Sequence, residues 1–165
     1  MFVDVPIPGL DLPTPVAQEL VPITARARRS FWHKVLTSET STCWFWTGAV
    51  SSDGYGRITW TLNGNSRTMG THRFALTLAH GQLPPGTVAA HGCNNPLCVR
   101  VGNDHVHAST QSENIRFAVR SQRHLSNQPR VDSTQRRKHA LTTRANHTGL
   151  HHFSTTSDDT LFRLP

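Results

Sequence analysis

The chain has 165 residues, and 36% of them are hydrophobic, which fits one domain with a small core and excludes a protein built from long apolar membrane helices. Lysine and arginine number 17 against 10 acidic residues, so the formal charge is +7 at pH 7 with neutral histidines. This charge favours a nucleic-acid partner, although a basic soluble protein without such a partner would have the same composition.

The first part of the chain is predicted to be an extended arm over residues 1–28, because five prolines fall within its first 22 residues. It has no charged segment followed by an apolar run, so it does not read as a secretory signal. A helix is predicted from Ser30, as its N-cap, to Leu36. The segment 43–47, with three aromatic residues in a row, predicts a strand.

Two β-prone runs, residues 55–62 and 66–69, flank the dipeptide Asn63-Gly64, which is the strongest short signal of a β-hairpin. The apolar spacing in residues 71–80 predicts a helix that Gly81 closes. This segment should therefore fold as a hairpin followed directly by a helix.

The next segment predicts short strands at residues 87–91 and 105–109, joined by a loop rich in asparagine, glycine and cysteine. Thr110 and Glu113 form a T-x-x-E capping box, which predicts a helix from Gln111 to about Arg123. On this helix Ile115, Ala118 and Val119 form the predicted buried stripe. Another face carries a basic stripe of Arg116, Arg120 and Arg123.

From residue 126 onward the composition changes to arginine, histidine, threonine and serine with few apolar residues. We expect a basic, mobile tail over residues 126–165 that contacts DNA without sequence preference through Arg136, Arg137 and Lys138. Its four histidines, His139, His147, His151 and His152, have no cysteine among them and are interpreted as tail composition rather than a metal site.

A metal site is predicted from the three cysteines, because an odd number cannot form a closed set of disulfides. Cys93 and Cys98 flank a tight turn, His105 can add a nitrogen ligand, and Cys43 can add a third sulfur. Three sulfurs and one imidazole suit tetrahedral structural zinc. The alternative is a set of unrelated buried cysteines. Cysteines that bind metal or stay free, rather than forming disulfides, also indicate a reducing, intracellular compartment.

Two further residues could carry chemistry. His91 ends the strand that leads into the cysteine turn, and an imidazole can remove a proton from water at neutral pH. Asn114 lies in the first turn of the capped helix, and its amide oxygen can bind a hard cation such as Mg²⁺. Alternatively, His91 is a core histidine and Asn114 a polar residue of the helix N-terminus.

The order of these residues resembles the HNH or His-Me finger endonucleases, and is closest to the compact phage HNH type and the His-Cys box homing endonucleases. The resemblance rests on His91-Gly-Cys93-Asn-Asn95-Pro-Leu-Cys98-Val99, His105-Val106 and Ser109-Thr110-Gln-Ser-Glu113-Asn114. Upstream it includes Phe31-Trp32-His-Lys34-Val35, Cys43-Trp44-Phe-Trp46-Thr-Gly48, Gly54-Tyr55-Gly56 and His72-Arg73-Phe74-Ala75. It spans residues 30–123.

The resemblance implies an α+β fold: a small zinc-stabilised ββα-metal core within a nuclease domain over residues 29–125, with an upstream hairpin and helices and mobile tails. It implies His91 as general base and Asn114 as ligand of a catalytic Mg²⁺ or similar ion. Structural zinc would be held by Cys43, Cys93, Cys98 and His105. The arginine at the scissile phosphate would be Arg67, Arg57 or Arg73, with Arg67 and then Arg57 favoured because both lie on the predicted hairpin. Further DNA contacts would come from Arg73, Arg116, Arg120 and Arg123.

This chain departs from the family pattern in three places, one being that some members have a second Cys/His zinc knuckle where this chain has only the C-terminal histidines without a cysteine. Between Cys98 and His105 it has two residues more than the usual spacing, which leaves His107 as an alternative fourth zinc ligand. Before His91 stands Ala90, where many HNH enzymes have an aspartate as a second metal ligand. The His-Cys box group uses asparagine alone, so this difference does not exclude activity.

The resulting prediction is a metal-dependent endonuclease that cuts double-stranded DNA and leaves 5′-phosphate and 3′-hydroxyl ends. Its predicted location is the cytoplasm of a bacterial or phage-infected cell, or a nucleus. A homodimer would be needed for symmetric cutting of both strands. The rival interpretations are a catalytically inactive zinc-stabilised DNA-binding module and a structural or toxin-like basic protein. A zinc deaminase is excluded because the H-x-E and P-C-x-x-C pattern is absent.

Overall fold

The computed structural model describes residues 21–120, 133–147 and 150–152. These residues form four helices and seven strands that mix α and β structure. The helices are α1 (Ala25–Trp32), α2 (Thr71–His80), α3 (Gln111–Arg120) and α4 (Ser133–Ala145). The strands are β1 (Val35–Ser38), β2 (Ser41–Trp46), β3 (Arg57–Leu62), β4 (Asn65–Gly70), β5 (Val88–His91), β6 (Val106–Ser109) and β7 (Leu150–His152).

Three small antiparallel sheets carry these strands. One has the order β2-β1-β7, and the other two are the hairpins β3-β4 and β5-β6. None of the helices in the described ranges has the length and apolar character needed to cross a membrane.

The main core is aromatic and lies between α1, β2, β3 and α2. Phe31 stacks on Trp46 at 5.4 Å between ring centroids and contacts Phe74 at 5.0 Å. Trp60 meets Phe74 edge to face at 5.4 Å. Large buried rings supply much apolar area from few residues, which suits a chain with a small hydrophobic fraction.

The first helix begins earlier than its sequence pattern predicted. Thr24 is the N-cap, and its Oγ1 accepts a hydrogen bond from the Ala27 N–H at 3.1 Å. The helix ends at Trp32, and Val35 and Leu36 pair with β2 instead of extending the helix. The predicted span from Ser30 to Leu36 is therefore wrong, because strand pairing of β-branched and aromatic residues outweighs a local helical spacing.

The predicted β3-β4 hairpin is confirmed. Leu62 pairs with Asn65 across a two-residue turn in which Asn63 has φ 50° and Gly64 has φ 79°. Both values lie in the left-handed region that asparagine and glycine adopt at low cost. The following helix α2 is also confirmed, with Gly81 at its end at φ 77°.

The two short strands and the capped helix predicted after them are likewise confirmed, and the strands pair as the hairpin β5-β6. Val88 pairs with Ser109, and His91 pairs with Val106. At the start of α3 the Glu113 carboxylate accepts from Thr110 N–H at 2.8 Å, and Thr110 Oγ1 accepts from Glu113 N–H at 3.2 Å. This reciprocal pair fixes where the helix begins.

The predicted buried stripe of α3 is wrong. Ile115 is 46% exposed and Val119 is 58% exposed. The helix instead turns Asn114 and Phe117 toward a cavity that it shares with β5 and β6. Residues 121–123, including Arg123, lie outside the described residues.

The C-terminal residues correct a second expectation. Residues 133–145 form α4 and residues 150–152 form β7, rather than the mobile tail expected from residue 126 onward. β7 pairs with the free edge of β1, and Ala140 of α4 is fully buried. Within the expected N-terminal arm, residues 21–28 also belong to the fold, since Trp60 Nε1 donates to the Pro22 carbonyl at 2.9 Å. Residues 1–20 lie outside the described part.

Candidate functional site

Three thiols and one imidazole meet in a cluster formed by Cys43, Cys93, Cys98 and His105. Their donor atoms all lie within 4.8 Å of one another. His105 Nδ1 is 3.7 Å from Cys43 Sγ and 3.6 Å from Cys98 Sγ. Tetrahedral zinc with ordinary bond lengths places a sulfur and a nitrogen ligand about 3.6 Å apart. The four predicted ligands thus come together in an arrangement that could bind a metal ion such as zinc.

Strand pairing brings Cys43 and Cys98 together. The segment after the cysteine turn runs antiparallel to β2, where Trp46 N–H donates to Leu97 O and Val99 N–H donates to Trp44 O, each at 2.9 Å. Cys98 lies between these two bonds and is fully buried. The positions of these two potential ligands are therefore set by a backbone ladder.

The turn between Cys93 and Cys98 has the local chemistry that its sequence suggests. Asn94 adopts φ 56°, a left-handed conformation that asparagine tolerates better than most residues. Asn95 Oδ1 accepts a hydrogen bond from Leu97 N–H at 3.0 Å. This side-chain turn reverses the chain and returns Cys98 toward Cys93.

The two additional residues before His105 are absorbed by a compact loop. His105 N–H donates to Gly102 O, and Val106 N–H donates to Arg100 O, each at 2.9 Å. His105 therefore reaches the thiols, whereas His107 lies on β6 and lines a different cavity. On the other side of this loop the backbone packs closely against Gly92, since a Cβ atom at this position would lie 2.9 Å from Asn103 O.

The thiols influence one another strongly. Hydrogen bonds with the other two thiols, together with burial, raise the pKa of Cys98. The Cys93 pKa is lowered, mainly because Cys43 and Cys98 donate hydrogen bonds to it. The Cys43 pKa is raised, first by its hydrogen bond with Cys93. Three packed thiols share protons in this way when no cation is bound, and a divalent cation would favour all three thiolates.

His91 is attached to this cluster through the backbone. Its Nε2 lies 3.0 Å from the Cys98 carbonyl oxygen, and both groups are buried. Since a carbonyl oxygen can only accept, Nε2 carries the hydrogen, and a neutral ring then has its lone pair on Nδ1. The bond fixes both the orientation and the tautomer of the imidazole.

Two aromatic neighbours surround His91. The His72 ring centroid is 4.9 Å from that of His91, and the Tyr55 centroid is 5.9 Å away. Burial, followed by the positive charge of nearby groups, lowers the pKa of His72 to about 3, so this ring is neutral at pH 7. In the sequence both residues occur within family-like motifs, and neither has a predicted role in the site.

Among the three candidate arginines, Arg57 has its guanidinium near the His72 ring. A Cβ on Gly70 would be 2.8 Å from His72 Cε1 and 3.5 Å from Arg57 Nη1. The guanidinium is held by Asp53 Oδ2 at 2.8 Å and by Ser51 Oγ at 3.0 Å. Arg67 and Arg73 instead line a separate cavity of about 400 Å³ beside Trp60.

Asn114 lies in a cavity of about 270 Å³ between α3 and the β5-β6 hairpin. Ala90, His107 and Arg120 also line it. Successive side chains of a strand point to opposite faces, so Ala90 faces this cavity while His91 faces Tyr55 and His72. His91 and Asn114 therefore border the two sides of the end of β5. Arg116 and Arg120 are exposed on α3.

Comparison with known proteins gives limited information. No family model matches the chain, and no solved structure matches it. The chain is similar to protein 7.7 of Escherichia phage T7, with 36% identity over 72 residues that make up 44% of this chain and 51% of that protein. The chain thus spans about half the length of this relative, whose name states no activity.

Proposed function

We propose that this chain is a metal-dependent endonuclease that hydrolyses phosphodiester bonds of DNA, with His91 as general base. The observation that carries the proposal is the hydrogen bond from His91 Nε2 to the Cys98 carbonyl at 3.0 Å. It joins a buried imidazole to a loop that four potential metal ligands hold, and it directs the proton-accepting nitrogen away from that loop.

The cysteine cluster has a structural role in this proposal. Three thiolates and one imidazole complete the tetrahedral coordination of zinc and leave no position for substrate. The cluster residues Cys43, Cys98 and His105 are also buried. Zinc would therefore stabilise the loop and the position of His91 without taking part in the reaction.

His91 Nδ1 accepts a proton from the water molecule that attacks phosphorus. Because Nε2–H is fixed on a carbonyl, the ring need not reorient before accepting the proton. His72 packs beside it as a neutral ring and adds no positive charge at pH 7. A neutral neighbour therefore does not oppose the positive charge that His91 acquires when it accepts the proton.

Arg57 and Asn114 would bind the phosphate region from the two sides of the strand end. Arg57 is held in place by Asp53 and Ser51, so it can contact a non-bridging oxygen with little loss of side-chain entropy. A divalent cation held by the Asn114 amide oxygen would neutralise charge on the phosphate and on the departing 3′ oxygen. Exposed Arg116 and Arg120 supply contacts to neighbouring phosphates.

A plasmid-nicking assay with the full-length protein tests this proposal. In the presence of Mg²⁺ or Mn²⁺ we expect nicked or linear DNA, and His91→Ala should lower the rate about 10³-fold while zinc content stays unchanged. His33→Ala is the matched control, because His33 is an exposed histidine at the end of α1. It should retain the wild-type rate.

A different result would favour the rival interpretation. If the wild-type protein shifts DNA on a gel but cuts none with any divalent cation, the chain is a zinc-stabilised DNA-binding module. If His91→Ala and His33→Ala cut equally well, His91 is not the general base.

A further inference from the structure

A cross-strand pair places His107 where a second ligand of the catalytic cation is needed. Ala90 has no donor atom, but it pairs directly with His107 across the β5-β6 ladder. Directly paired residues point to the same face of a sheet. Both residues therefore face the cavity of about 270 Å³ that also contains Asn114.

The backbone already orients the His107 imidazole for metal binding. Its Nδ1 lies 3.3 Å from the carbonyl oxygen of His105. If Nδ1–H donates to this carbonyl, the lone pair of the neutral ring is on Nε2. Histidines that bind metal usually have such a bond on their second nitrogen, because it fixes the tautomer and the ring plane.

Two other charged side chains of the cavity, Glu113 and Arg120, have further contacts or roles. Glu113 Oε2 already accepts bonds from Thr110 N–H, Thr110 Oγ1 and Ser109 Oγ at 2.8 to 3.2 Å. Arg120 repels a cation but can bind the oxygens of a phosphate that the cation also contacts. His107 and Asn114 are the neutral imidazole and amide donors among the residues that line the cavity.

We propose that His107 and Asn114 together bind the divalent cation, with His107 taking the place of the carboxylate that Ala90 cannot supply. This inference rests on the proposed nuclease function. Water and a phosphate oxygen would complete the coordination. A mixed nitrogen and oxygen donor set suits Mn²⁺ and related transition metals better than Mg²⁺, which prefers oxygen ligands.

Binding of Mn²⁺ to the full-length, zinc-loaded protein tests this assignment without reference to catalysis. The free ion can be followed by its electron paramagnetic resonance signal. His107→Ala and Asn114→Ala should each weaken Mn²⁺ binding tenfold or more, while His33→Ala should leave it unchanged. Zinc content and circular dichroism are measured on every variant, and His107→Gln is a second, less disruptive variant that should weaken binding similarly.

Metal preference in the cleavage assay gives a second measurement. His107→Asp should raise the ratio of the Mg²⁺-supported rate to the Mn²⁺-supported rate at least tenfold, because it replaces a nitrogen ligand with oxygen. The assignment is overturned if folded His107→Ala or His107→Gln binds Mn²⁺ with wild-type affinity. It is also overturned if the wild-type protein binds no Mn²⁺ at millimolar concentration. If the wild-type protein binds Mn²⁺ through His107 but cuts no DNA, the nuclease proposal fails while the metal site stands.

Discussion

His105 and His107 are separated by a single residue, and the structure gives them different surroundings. The imidazole of His105 contacts two thiols, whereas that of His107 lines the cavity near Asn114. We predict that His105→Ala loses bound zinc and about 4 kcal/mol or more of unfolding free energy. Elemental analysis and urea unfolding measure both effects.

The matched variant for this prediction is His107→Ala, which should retain one zinc per chain and near wild-type stability. Zinc retained by His105→Ala but lost from His107→Ala would show that the wrong histidine has been assigned to the cluster. The comparison is direct, since both variants remove an imidazole from the same short segment.

His72 should make the protein less stable in acid. Its pKa of about 3 in the fold lies below the ordinary value of 6.5, so the unfolded chain takes up the proton first as pH falls. The stabilising contribution is present above pH 6.5 and is lost between pH 6.5 and 3. His72→Gln cannot be protonated, and we predict that it loses about 1–2 kcal/mol less than the wild type between pH 7 and 5.

Urea unfolding at the two pH values, with zinc in excess, measures this difference. The cysteine cluster is the same in both proteins, so its contribution cancels when the two pH dependences are subtracted. His33→Gln, which removes an exposed histidine, should keep the wild-type pH dependence. An identical pH dependence in His72→Gln and the wild type would contradict the prediction.

At the level of single elements, the capping box of α3 determines where Asn114 lies. Thr110 Oγ1 accepts from Glu113 N–H, and Asn114 N–H donates to Thr110 O at 3.0 Å. Thr110→Ala should destabilise the protein by about 1 kcal/mol. It should also lower the rate of DNA cleavage, because the first helical turn that carries Asn114 becomes looser. Thr110→Ser retains the hydroxyl and should behave like the wild type. Equal urea midpoints for the two variants would contradict this role.

Elements with strong local chemistry could be predicted from the sequence, while those decided by distant contacts could not. Asn63-Gly64 and the Thr110–Glu113 pair each determine a backbone conformation within a few residues, and both predictions are confirmed. The exposed face of α3 was predicted to be buried, because spacing identifies an apolar stripe but not the surface that the helix meets. Ile115 shows this limit, since Asn114 rather than Ile115 faces the β5-β6 hairpin.

Across the whole molecule, the cysteine cluster could be predicted because ligand type and turn residues are local properties. Cys43, 50 residues before Cys93, was included on chemistry alone, and β2 brings it into place. The role of the C-terminal residues was not predictable in this way. Their low apolar content indicated a mobile tail, but β7 satisfies the free edge of β1, a pairing over more than 100 residues that no local pattern reveals.

The C-terminal helix is joined to the strand that carries Cys43, the first of the four potential metal ligands. Arg144 Nη1 donates to the Trp46 carbonyl at 2.9 Å, and His147 packs on Phe45 at 4.6 Å between ring centroids. Phe45 itself packs against Cys43 and Cys98. Arg144→Ala should therefore cost about 1–3 kcal/mol of unfolding free energy and speed zinc transfer to a chelator, because a charged donor to the backbone of β2 is lost.

Arg137→Ala is the control for this prediction, because Arg137 is an exposed arginine on the same helix and its removal changes the net charge equally. Zinc release is followed with a chromogenic chelator at fixed ionic strength. If both variants release zinc at the wild-type rate, α4 covers the core without supporting the metal centre. Faster zinc release from Arg144→Ala alone would indicate that residues beyond the segment 30–123 help to hold β2, and with it Cys43, in position to bind zinc.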